Sequence, residues 1–128
     1  MARAKRKPLT KAELRIMEVL WRLREATVAE VAGELPRPPL AYTTVLTMLR
    51  ILEQKRFVKR QADGRAHVYS PAIEREDAAR SAIGDVVASF FSNSKTALAL
   101  RLMADSQPSA TELEEIKALI ARYEEEHR

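Results

Sequence analysis

Thr43, Thr44, Thr47 and Arg50, on one predicted helix, carry the most specific chemistry in this sequence. A guanidinium can donate two parallel hydrogen bonds to the O6 and N7 of guanine. A threonine offers a hydroxyl to bases or phosphates and a methyl to thymine. The i, i+4 and i+7 spacing of Thr43, Thr47 and Arg50 places them in one row along a helix. Leu46 falls on the same side, with Tyr42 at the first turn. An exposed leucine there wants an apolar partner, and a thymine methyl would serve. The alternative for Arg50 is an i, i+3 pair with Glu53. A few residues on, Lys59, Arg60 and Arg65 stand in a hairpin pattern and can neutralise phosphates.

No other constellation competes with this one. Gly33, Gly64 and Gly84 form no phosphate-cradling loop. No Ser/His/Asp set is evident, so no enzyme class is supported. His67 and His127 are the only histidines, which leaves a histidine metal site without ligands. With no cysteine there is no disulfide, thiolate metal site or redox switch. No metal and no cofactor is expected.

The elements that must position these side chains are legible. Thr10 and Glu13 make a reciprocal cap for a first helix running to about Arg24, with Leu9 and Leu14 placed as a hydrophobic staple. Trp21, the one tryptophan, reads as core. Thr27 and Glu30 repeat the device for a second helix, whose apolar face is Val28, Val31, Ala32 and Leu35. Pro36, Pro38 and Pro39 end it. A third helix is predicted from about Ala41 to Lys55, burying Val45, Met48, Leu49 and Leu52 and turning the threonine row outward. Residues 57–61 and 66–70 read as strands. Asp63-Gly64 between them suits a type I′ turn. Strand alternation puts Arg65, His67 and Tyr69 on one face and Ala66, Val68 and Ser70 on the other. Three helices and a basic hairpin in this order imply a winged helix-turn-helix, with the third helix in the DNA major groove.

The rest is read as helical: residues 74–92, a short helix near 95–104, and a last helix opened by Ser109–Glu112 or Thr111–Glu114. The fold class is therefore mainly α with a small β-hairpin. The expected organisation is a basic arm (1–8, with Arg3, Lys5, Arg6 and Lys7), a winged-helix DNA-binding domain (9–72) and a helical dimerisation domain (73–128). A tail of this size cannot easily bury its apolar residues alone. Val86, Phe90, Phe91, Leu98, Leu102, Ile116 and Ile120 are the candidates for a two-fold interface.

Charge follows the same division. Residues 1–70 hold 15 Lys/Arg against 7 Asp/Glu, a net of +8, while residues 71–128 hold 7 against 11, a net of −4. Only the first part is suited to a polyanion. No run approaches the ~20 apolar residues of a membrane span. No apolar stretch follows the basic start as in a secretory signal. A cytoplasmic protein without a membrane partner is expected.

The stretches LTKAELRIMEVLW, TVAEVAGEL, LAYTTVLTMLRILEQK, FVKRQADGRAHVYSP and ELEEIKALI, in this order and spacing, resemble the penicillinase-repressor family (BlaI/MecI type) of winged-helix transcription repressors. The resemblance covers nearly the whole chain after residue 8. It implies a homodimer on a palindromic operator, with Thr43, Thr44, Leu46 and Thr47 entering the major groove. Three departures stand out. Arg56 occupies a position where relatives usually have glycine, which fits a left-handed helix terminus. Arg101-Leu102 stands where the best-known relatives carry the Asn-Phe bond cut during induction, which leaves a sensor protease open as a partner. Lack of cysteine excludes copper sensing through the cysteine motif of copper-responsive relatives. Two other classes remain open on the residues alone: a ligand-sensing regulator with a pocket between the two halves, and a winged-helix module that binds protein.

Overall fold

A computed structural model describes residues 6–128. Most of the predicted basic arm, Arg3 and Lys5 included, lies outside the described residues. The elements are α1 (Lys11–Leu23), β1 (Ala26–Thr27), α2 (Val28–Glu34), α3 (Tyr42–Gln54), β2 (Val58–Asp63), β3 (Ala66–Pro71), α4 (Arg75–Phe90), α5 (Lys95–Asp105) and α6 (Ala110–Glu126). The protein is thus mostly helical with one small antiparallel sheet, in strand order β1-β3-β2.

Local sequence starts the first two helices. The Thr10 hydroxyl accepts from the Glu13 N–H at 3.1 Å, and the Glu13 carboxylate accepts from the Thr10 N–H at 2.8 Å. Thr27 and Glu30 do the same at 3.2 and 2.9 Å. Each box satisfies N–H groups that the first turn cannot bond internally. The apolar faces of α1, α2 and α3 meet in one core of Ile16, Met17, Leu20, Val31, Val45, Leu49 and Leu52, each fully buried. Burying a side chain of this kind stabilises by about 1.5–3 kcal/mol. Tyr69 of β3 and Phe57 and Val58 at the start of β2 close that core from the sheet side.

Two sheet details differ from expectation. The two-residue strand β1 pairs with β3 through Ala26–Tyr69 and Thr27–Val68. In the hairpin, Asp63 pairs with Ala66, so the turn residues are Gly64 and Arg65 rather than Asp63 and Gly64. Gly64 alone takes a positive φ there, 64°. This is the pattern of a type II′ turn, which asks for glycine at its first central position. The inward fit of Tyr69 fixes the register, and the Asp-Gly dipeptide yields to it. Arg65 accordingly sits in the turn, and His67 is exposed while Tyr69 is buried, because the hairpin tip extends past the core.

Contacts divide the described residues into two units after Ala82, within α4. In the first unit the beginning of α4 is tied to α1. The Trp21 indole donates to the Ile73 carbonyl at 2.9 Å, and the Arg75 guanidinium lies 5.2 Å over the Trp21 ring while pairing with Glu18. Arg24 makes a two-pronged pair with Glu74 at 2.6 and 3.0 Å. Trp21 is therefore half-buried at the edge of the core.

In the second unit Ser94 caps α5 by accepting from the Ala97 N–H at 3.0 Å. Ser109, in a reciprocal box with Glu112, caps α6; Thr111 falls inside the helix. Neither α5 nor α6 has a buried residue. Val86, Phe90, Leu102 and Ile120 are exposed, and Phe91, Leu98 and Ile116 are half-buried. Among the described residues no helix is long and apolar enough to cross a membrane.

Candidate nucleic-acid interface

Three devices hold α3 as a rigid rod. Behind it, Val45, Leu49 and Leu52 are fully buried. At its start there is no side-chain cap on Ala41; the preceding connection is held instead by Arg15 of α1, which donates to the carbonyls of Pro36, at 2.6 Å, and of Pro38. At its end the Phe57 N–H bonds the Leu52 carbonyl at 2.9 Å and the Arg56 N–H bonds the Glu53 carbonyl at 3.0 Å. That pair of bonds is a Schellman motif, and it needs a left-handed residue between helix and strand. Arg56 supplies it with φ 68°.

A fourth tie links the end of α3 to the start of α1. The Lys55 ammonium lies 2.7 Å from the Glu13 carboxylate and donates to the Pro8 carbonyl at 3.1 Å. Burial pushes the Glu13 carboxyl up. The hydrogen bond from Lys55, the Thr10 backbone bond and the Lys55 charge pull it further down, so it stays below the usual carboxylate range. Glu13 thus serves as both cap residue and anchor. Its capping role was legible from Thr10; its partner 42 residues away was not.

In front of this scaffold Tyr42, Thr43, Thr44, Thr47 and Arg50 are all exposed. The Thr47 hydroxyl donates to the Thr43 carbonyl at 3.0 Å. Its proton is used, and the oxygen remains an acceptor. Arg50 has no ion-pair or hydrogen-bond partner among the described residues, so its five donors stay available. Glu53, the partner considered for Arg50, instead lies 3.5 Å from Arg60. Leu46 departs from expectation. It is half-buried and packs against the core, because it stands on the flank of the helix between the buried and the open face. Little of it is left to meet a base.

The hairpin carries the remaining cations. Lys59 is exposed with no ion-pair partner among the described residues. Arg60 shares Glu53. Arg65 is exposed at the turn. The arrangement presents hydroxyls, methyls and a guanidinium that is unpaired among the described residues along a helix, with cations on an adjoining ribbon. Such a surface can contact base edges and phosphates together. Among the described residues no group of three or more His, Cys, Asp or Glu is placed to hold a metal ion.

Comparison with known proteins places this geometry among relatives. The family model described as penicillinase repressor matches residues 9–122. The penicillinase repressor of Bacillus licheniformis is 26% identical over 121 residues, covering 94% of this chain and 91% of the relative. The transcriptional regulator BlaI of Mycobacterium tuberculosis is 38% identical over 78 residues, covering 59% of this chain and 56% of the relative. The solution structure of the DNA-binding domain of the repressor BlaI superposes with a TM-score of 0.51 at 33% identity, covering 58% of this chain and 93% of that domain.

Proposed function

Since this chain belongs to the penicillinase repressor family, we propose that it represses transcription by binding an operator as a homodimer, with α3 of each protomer in the major groove of one half of a palindromic site. The observation that carries the proposal is the unpaired Arg50 in a bare threonine row, on a helix whose opposite face is fully buried. In this reading Arg50 reads a guanine or grips a phosphate, Thr43, Thr44 and Thr47 meet neighbouring bases or phosphates, and Tyr42 and Leu46 flank them. Lys59, Arg60 and Arg65 hold the backbone alongside. The similarity to a BlaI DNA-binding domain supports DNA as the partner of this unit.

The homodimer reading rests on the second unit. Phe90 is 80% exposed, and neither α5 nor α6 buries a residue within the protomer. Exposed apolar side chains on all three helices of this unit are what a second copy could cover. Val86, Phe90, Phe91, Leu98, Leu102, Ile116 and Ile120 are assigned to it. A two-fold dimer would set two copies of α3 about one or two helical turns apart, so that both half-sites contribute to one binding event.

Selection of bound sequences from a random duplex pool by the purified full chain tests this reading. The expected result is an inverted repeat with half-sites separated by whole helical turns, bound by two copies of the chain. Enrichment of a non-symmetric sequence, or of none, would overturn it.

A further inference from the structure

The chain enters α3 through a turn fastened to α1. Pro36, Arg37, Pro38 and Pro39 follow α2, and Tyr42 opens α3 five residues after Arg37. The proline rings fix φ on both sides of Arg37. The Arg15 guanidinium of α1 donates to the carbonyls of Pro36 and Pro38, the residues on either side of Arg37. The backbone of the turn is thus held from α1, while Arg37 itself is exposed. It has no hydrogen-bond or ion-pair partner among the described residues.

The carboxylates that flank these groups on α1 and α2 are committed elsewhere. Glu34, at the end of α2, pairs with Arg22 at 3.1 Å. Glu18, one turn after Arg15 on α1, pairs with Arg75, and Glu13 pairs with Lys55. Lys11, one turn before Arg15, is exposed and has no ion-pair partner among the described residues. Lys11, Arg15 and Arg37 therefore leave positive charge at the entry of α3 that no carboxylate offsets among the described residues. Because the backbone around Arg37 is already fixed, an anion bound there would order one side chain and little else. Reach decides which anion that is. Five residues span at most about 18 Å of chain, and a folded turn spans less. A helix in a major groove about 12 Å wide has a sugar-phosphate strand on each side. Arg37 is close enough to the first turn of α3 to reach such a strand, while α3 itself takes the base edges.

We propose that Arg37 is a further DNA contact, whose guanidinium grips a backbone phosphate at the entry of α3, and that Arg15 is the positioning residue that holds the turn presenting it. The proposal rests on the reading of α3 as the helix that faces DNA. It adds a grip that precedes α3 in the chain to the hairpin cations that follow it, so that phosphate contacts bracket the helix and fix its place along the groove.

The test compares the full chain with Arg37→Gln and Arg15→Lys. Affinity is measured by fluorescence anisotropy across a salt series, on a selected duplex and on a random one. Arg37→Gln removes no contact within the folded chain. It is expected to weaken both duplexes by the same factor and to flatten the log-log salt slope by about one unit for the lost phosphate. Phosphate ethylation interference on the selected duplex locates the contact: one phosphate in each half-site is expected to matter for the wild type and not for Arg37→Gln. Arg15→Lys keeps the charge but loses the planar fork, and the same phosphate is expected to drop out while the others stay. An unaltered slope in Arg37→Gln, or an interference pattern identical to that of the wild type, overturns the proposal. A loss confined to the selected duplex would make Arg37 a base reader and overturns it as well. Loss of every phosphate at once in Arg15→Lys would overturn the positioning role. Should the wild type bind every duplex alike, base reading by α3 falls, yet the slope of Arg37→Gln on random duplex still decides whether Arg37 holds a phosphate.

Discussion

The Glu13–Lys55 pair fixes the end of α3, and replacing Lys55 with methionine tests how much. The two side chains are 6% and 17% exposed, so the pair is neither a surface ion pair worth about 0–1 kcal/mol nor a fully buried one whose breaking costs about 3–5 kcal/mol. In Lys55→Met the Glu13 carboxylate keeps its bond from the Thr10 N–H, and the methionine stem replaces most of the packing. A loss of about 2 kcal/mol at neutral pH follows, equivalent to a melting temperature lower by roughly 6–10 °C. The loss has a pH signature. A carboxyl held below its unfolded value contributes stability that is present above the unfolded value and disappears as pH falls through the folded one. The Glu13 carboxyl is depressed because Lys55 and Thr10 together outweigh its burial. Without Lys55 the burial is opposed by Thr10 alone, and the depression shrinks. Urea unfolding of both proteins at neutral pH and at about pH 3.5 should show the gap between them narrowing in acid. A gap that is equal at both pH values, or below about 0.5 kcal/mol at neutral pH, refutes the reasoning.

Arg56→Gly should raise stability by about 1 kcal/mol, because a left-handed non-glycine residue costs about 1–2 kcal/mol and glycine gives back about 0.5–1 kcal/mol in chain entropy; a lower urea midpoint would contradict this. Lys59→Ala should weaken operator and random duplex alike and flatten the salt slope by about one unit. Arg60→Ala should change the slope less, since Glu53 already shares its charge; equal slopes for the two variants would remove Glu53 from the account. A chain ended after Ala82 keeps the Trp21, Arg24 and Arg75 ties to α1. It should fold with a cooperative thermal transition, sediment as a monomer and bind the operator about 100-fold more weakly or worse. Unchanged operator affinity would show that the second unit contributes nothing to binding.

Much of this fold was legible because its signals are local. A threonine and a glutamate three residues apart announce both capped helices before any tertiary contact is known, and the i, i+3, i+4 rows sort α3 into a buried and an open face. What escaped the sequence depends on partners far along the chain. Two residues, Ala26 and Thr27, carry no strand signal of their own and become β1 only because Tyr69 and Val68 lie beside them. The turn moved by one residue because the inward Tyr69, and not the Asp-Gly dipeptide, sets the hairpin register. Leu46 is covered for a related reason: periodicity gives an angle around the helix, while the edge of the core decides whether a flanking leucine is exposed. Within the candidate interface, Thr43, Thr44, Thr47 and Arg50 are exposed as read. The anchors Arg15, Glu13 and Lys55 depend on which elements happen to be neighbours.

Dimethyl sulfate protection of guanine N7 on the selected operator asks directly whether the outward face of α3 reads base pairs, since N7 lies in the major groove. The wild-type chain should protect guanines in two symmetric half-sites. Arg50→Ala should lose protection at one guanine per half-site and about 1–3 kcal/mol of specific affinity, with binding to random duplex little changed. Guanines left reactive throughout the bound operator would show that α3 does not lie in the major groove.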